Sequence, residues 1–269
     1  METAAERSLR DSLAIMEPAF RACYEAGVQV VTLPSDRSSA RELILAAPFL
    51  KRALNDLRAV WDLLLRGYTS QAASVAAALF ENALAVTVVA RDQAAASELE
   101  ASTGGDLPWR AQALSKRAAK IWLRDDREQA NAPTTSKESL WRAAYAAYKW
   151  LCKIKHPTMP SAVHDAGATT VANGTYVVMA APDVRPEDLP VKATVAMIAV
   201  SRCYEAVHSF AIALQPQADD PYYHDFAKRL TEAFSAGKSA YISLAARHLP
   251  FDISSTTFAR ESAKHLGKR

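Results

Sequence analysis

Hydrophobic residues recur along most of this chain at helical spacing, and one stretch departs from that pattern by having almost no polar side. From Thr69 to Arg91 (TSQAASVAAALFENALAVTVVAR) small or apolar residues fall on every face, interrupted near the middle by Glu81 and Asn82. No Gly or Pro breaks the run, and Ala and Leu favour helix. The spacing predicts a helix buried around most of its circumference. Gly67 and an N-cap at Thr69 or Ser70 mark its start. The run is long enough to cross a bilayer, but Gln71, Glu81 and Asn82 would then sit in hydrocarbon. The expectation is the central helix of a soluble bundle, without stable membrane insertion. A carboxylate in such surroundings is costly unless paired or protonated. Glu81 therefore demands a partner, and Arg142 or Lys149 across a helix interface would supply one.

The flanking segments read as amphipathic helices. Ala4 to Ala26 is one, kinked or broken around Pro18. Gly27 to Val31 continues it or is a short extended piece, and Leu33 to Asp36 is a turn. Ser38 or Ser39 caps a short helix through Ala46. Pro48 opens another, in which Leu50, Leu54, Leu57, Trp61 and Leu64 line one face. Further helices are expected over Gln93 to Ala101, Pro108 to Leu123 and Ser136 to Lys155. Two long ones, Lys192 to Leu214 and Pro221 to Arg247, finish the fold.

From Pro157 to Pro190 the helical period disappears and five prolines occur. Thr170 to Val178 carries the Asn173-Gly174 pair of a tight hairpin. The expected architecture is all-α, a single domain over 1–269. Its bundle has about eight helices, from the 48–156 and 191–249 cores. A β-hairpin-bearing insertion fills roughly 157–190, and a frayed basic tail closes the chain at 256–269.

Composition narrows the class. The chain has 269 residues, half of them hydrophobic, and a net charge of +3. That is a globular protein with a sizeable core. Its mild charge permits an acidic partner without demanding nucleic acid. The first residues lack an apolar signal core. Cys23, Cys152 and Cys203 are read as having no close neighbours, with neither a disulfide framework nor a zinc motif. A cytoplasmic setting is expected.

The helix before Pro157 carries the candidate chemistry. Arg142, Lys149, Lys153 and His156 are spaced so that they share one narrow stripe. His156 stands at the helix C-terminus, where the dipole favours its protonated form. Thr158, Ser161 and His164 follow in the next segment. Such a rail can hold phosphate or carboxylate, with Glu81 and Asn82 as the polar floor of a pocket.

The order of SVAAALFENAL, a loop-rich middle and YKWLCKIKHPTMPS resembles an uncharacterised bacterial all-helical family and, more distantly, the HEPN-like superfamily. The likeness spans roughly residues 50 to 160 and its motif is short. It implies a helical bundle, often a ribonuclease of toxin–antitoxin or phage-defence systems. It also implies a homodimer in which two motifs face each other. His156 matches the motif's histidine and Lys149 stands near its arginine. Trp150 replaces the polar residue that follows, and lysine lacks the arginine fork. The resemblance implies a metal-independent ribonuclease or RNA-binding protein. His156 and Lys149 would be catalytic, and Arg142, Lys153, Thr158 and His164 would hold the ligand.

The alternative is a non-catalytic helical module that binds an acidic protein partner. No cofactor or metal is expected. Ala236-Gly237-Lys238-Ser239 lacks the first glycine and the strand of a P-loop, so Gly237 reads as a packing position.

Overall fold

The computed structural model describes residues 2–102, 107–128, 136–155, 162, 170–172, 175–177, 182–216 and 220–248. The fold is all-α. Helices α1 (Glu2–Leu13) and α2 (Glu17–Val30) are joined by a 3-10 turn. They lead into α3 (Arg41–Leu65), α4 (Thr69–Arg91) and α5 (Gln93–Glu100). Then come α6 (Ala111–Glu128), α7 (Lys137–Lys155), α8 (Leu189–Leu214) and α9 (Pro221–His248).

Helix α4 is the centre, as its pattern predicts. It packs on α3, α6, α7 and α8, and Leu79, Phe80, Leu84, Val86 and Val88 are fully buried. Both α4 and the Pro186–Leu214 stretch are long and apolar enough to cross a membrane, yet most of each lies inside the protein. The two run parallel. Thr69 meets Asp188 at their N-terminal ends, and Phe80 meets Arg202 further along. Helices α2 and α9 close over α8, with Gly237 in the interior against Ala19.

The first helical segment is broken around Pro18, as expected: a 3-10 turn spans 14–16 and Pro18 sits in the first turn of α2, where its missing N–H costs nothing. Pro48 does not open a helix, because it lies inside the continuous α3. Leu43 and Ala46 before it and Leu50 and Leu57 after it are all buried. Core burial on both sides outweighs one lost backbone hydrogen bond.

The segment read as an insertion at 157–190 is corrected at its C-terminal end. Leu189 and Pro190 already belong to α8. Residues 182–188 are strapped to the α3–α4 turn, where the Asp183 amide donates to the Gly67 carbonyl at 3.0 Å. Thr170–Ala172 (β1) and Thr175–Val177 (β2) pair antiparallel with each other, Val171 opposite Tyr176. Among the described residues these two short strands join no further strand, and a hairpin-bearing insertion is not supported as a unit of the architecture. His156, Thr158, Ser161, His164 and the 256–269 tail lie outside the described residues.

Candidate functional site

The Glu81-Asn82 interruption of α4 is divided between two interfaces, since neighbours on a helix point about 100° apart. Asn82 is buried toward α3 and donates to Asp56 Oδ2 at 3.0 Å. Burial pushes the Asp56 carboxyl up, opposed by Asn82 and Arg52. Glu81 faces α7, where Tyr148 Oη donates to its Oε1 at 2.7 Å.

This corrects the expected pairing of Glu81. The acid is half-buried, and a tyrosine hydroxyl satisfies it where Arg142 or Lys149 was expected. Tyr148 also packs on Phe80 at 5.3 Å and stacks on Tyr145 at 6.2 Å. Burial holds the Tyr148 phenol well above its usual range, reinforced by Glu81 and Cys152.

A line of polar side chains in α8 extends this seam. Arg202 lies over the Phe80 ring at 5.7 Å and the Trp122 ring at 5.3 Å. Its Nη1 is 2.7 Å from Glu205 Oε2. The angles there are not those of a hydrogen bond, and both atoms, with Trp122 Nε1, are buried without a hydrogen-bond partner. Burial outweighs the Arg202 charge and pushes the Glu205 carboxyl up to about 7. His208 stacks on Tyr204 at 5.9 Å. Burial pulls its imidazole down, with Asp125 and Arg91 acting in opposite senses. Those two residues form a two-pronged ion pair at 3.1 and 2.7 Å.

The basic stripe stands on the outer side of α7. The helix is continuous from Lys137 to Lys155, which keeps Arg142, Lys149 and Lys153 in line. Lys137, Arg142, Lys149, Lys153 and Lys155 face a single acid, Glu138, so α7 alone exceeds the +3 of the whole chain. Glu138 engages Arg142 at 2.6 Å and Trp141 Nε1 at 2.6 Å. Lys116 lies over the same indole at 4.7 Å. Lys149 sits 6.0 Å from the Tyr145 ring centre.

Two polar groups went unseen in the sequence. Lys192 is fully buried, bridged to buried Asp188 one turn earlier, and Thr69 Oγ1 donates to the same carboxylate at 2.5 Å. Cys203, read as isolated, lies within hydrogen-bonding reach of Cys23. The i, i+4 spacing of Asp188 and Lys192 was the available signal, hidden by starting that helix at Lys192. The Arg202/Glu205 pair in an otherwise apolar run was another.

Compared with family models, with curated proteins and with solved structures, the chain matches none.

Proposed function

We propose that the outer face of α7, with the segment that follows it, binds RNA, and that the chain is a HEPN-like RNA-binding protein of bacterial defence. The observation that carries this reading is the concentration of positive charge on α7 against a nearly neutral chain. A half-buried aromatic ring, Tyr145, lies among those cations beside Lys149, whereas Trp141 is buried under Lys116 and Arg142. Interleaved cations and rings suit a single strand, which offers phosphates and bare base faces.

In its catalytic form the reading makes His156 the general acid–base of a metal-independent ribonuclease. Lys149 and Lys153 hold phosphate beside it. A homodimer would bring two such motifs together.

The test is binding of a single-stranded RNA oligomer against salt, with cleavage measured in parallel. Lys149→Gln and Lys153→Gln should each weaken binding and flatten the log–log salt slope by about 0.7. His156→Ala should keep binding and lose cleavage. Absence of salt-sensitive binding in the wild type would reject the RNA reading. Binding without cleavage would reject the ribonuclease form alone.

One observation favours the second reading, a non-catalytic module for an acidic protein partner. Arg142 is engaged by Glu138 and Glu81 by Tyr148. Both acids are thereby already engaged, so neither stands ready as a general base beside the stripe.

A further inference from the structure

A second concavity lies on other helices. A groove of about 390 Å³ runs between α2 and α3, within the size range of small-ligand sites. The two helices are antiparallel there. At one end Gly27 lies so close to α3 that a Cβ would stand 2.2 Å from Leu54 Cδ2. At the other end Phe20 packs on Trp61, ring centres 4.7 Å apart. Tyr24 and Leu57 complete the apolar lining.

The polar groups of this groove are one-sided. Arg58, Tyr24 Oη and Trp61 Nε1 are donors with no acceptor among the described residues. Tyr24 and Trp61 are half-buried and Arg58 is exposed. The groove's carboxylate, Glu17, is occupied by Arg21 at 3.1 Å, so those two charges cancel. What remains is one uncompensated guanidinium, two neutral donors and three aromatic rings.

We infer that this groove binds a small planar aromatic anion. The ring of the ligand lies among Phe20, Tyr24 and Trp61, and its carboxylate or phosphate meets Arg58. An aromatic body gains from offset or edge contacts with the three rings. An anionic head satisfies a guanidinium by charge-assisted hydrogen bonds. A cation would meet Arg58 unfavourably, and a neutral body would leave that charge unused. None of these residues belongs to α7, so the inference stands apart from the RNA reading.

The test is isothermal titration of the full chain with naphthoate, naphthyl phosphate and the neutral naphthamide. One of the two anions should bind saturably at one site per chain, and the tighter one identifies the head group. Naphthamide should bind at least about tenfold more weakly, the scale of one charge-assisted contact. Arg58→Gln, a surface change checked by circular dichroism, should cost the anion a similar factor. Lys149→Gln, on the α7 face, should leave its affinity unchanged. The inference is overturned if neither anion binds saturably at millimolar concentration. Equal affinity for naphthamide, no effect of Arg58→Gln, or an equal loss in Lys149→Gln would also overturn it.

Discussion

Tyr148 on α7 donates its hydroxyl hydrogen to Glu81 on α4 across 2.7 Å, so the one acid of the central helix is satisfied by a neutral group. Tyr148→Phe keeps the ring contacts with Phe80 and Tyr145 and removes the hydroxyl, with its hydrogen bond to Glu81 and its contact with Cys152. It should lower stability by about 1–2 kcal/mol in urea denaturation. The phenol's folded value lies above its usual 10, so the fold keeps the neutral form. This contribution is fully present below about pH 10 and is lost as pH rises through the folded value. Tyr148→Phe should therefore also flatten the alkaline fall in stability. An unchanged denaturation midpoint and alkaline limb would show that the hydroxyl does nothing at this interface.

The ion cluster where α4 meets α8 is a sharper case. Lys192 and Asp188 are both fully buried, and Thr69 donates to the same carboxylate. Removing one charge strands the other in a dry site. Lys192→Met alone should cost about 3–5 kcal/mol, whereas Lys192→Met with Asp188→Leu should recover much of it. A double variant no better than the single one would mean that the cluster does more than neutralise itself.

The sequence made some of this legible and hid the rest for identifiable reasons. The α4 run of small and apolar residues could only be a buried helix, and the structure has it at the centre. The start of α7 followed from Ser136, whose hydroxyl accepts from the Ser139 amide in the first turn. The partner of Glu81 could not be read, because Tyr148 and Arg142 both lie on α7 and only packing decides which reaches it. Pro48 misled because its local penalty is visible in the sequence, whereas the burial of Leu43, Leu50 and Leu57 that overrides it is a tertiary property. Lys192 looked like a helix start because lysine is a surface residue by default. Its burial depends on Asp188, which the apolar pattern does not weigh. For the site, the line of cations on α7 was legible from spacing alone. The α2–α3 groove was not, since its rings come from two helices each read as ordinary amphipathic cover.

Gly67 ties the chain together at the α3–α4 turn. It adopts φ +79, and a Cβ there would lie 2.8 Å from Pro182 Cβ and 2.9 Å from the Asp183 backbone nitrogen. Backbone cannot step aside as a side-chain end can. Gly67→Ala should cost at least about 1–2 kcal/mol from the left-handed conformation alone. It should also loosen the Asp183 hydrogen bond to the Gly67 carbonyl. Hydrogen exchange at the Asp183 amide is the direct measurement. Unaltered protection there would show that the strap does not depend on the turn.

Glu205 gives the bundle a pH dependence of unusual sign. Its carboxyl is pushed from the ordinary 4.5 up to about 7, because burial outweighs the attraction of Arg202. The folded state therefore binds more protons than the unfolded state between those two values. Stability from this group is fully present below about pH 4.5 and is lost as pH rises toward 7, by on the order of 3 kcal/mol. Carboxylates held down by partners, such as Asp183 beside Arg185, act in the opposite sense, so the total curve mixes both. The difference between wild type and Glu205→Gln isolates this residue. Glutamine cannot ionise, so the variant should gain on the wild type as pH rises from 5 to 7 and hold a constant lead above 7. Denaturation midpoints of both proteins at several pH values in that range supply the comparison. If the difference stays flat across the range, Glu205 ionises in the fold as readily as in water, and the pull of Arg202 offsets the burial in full.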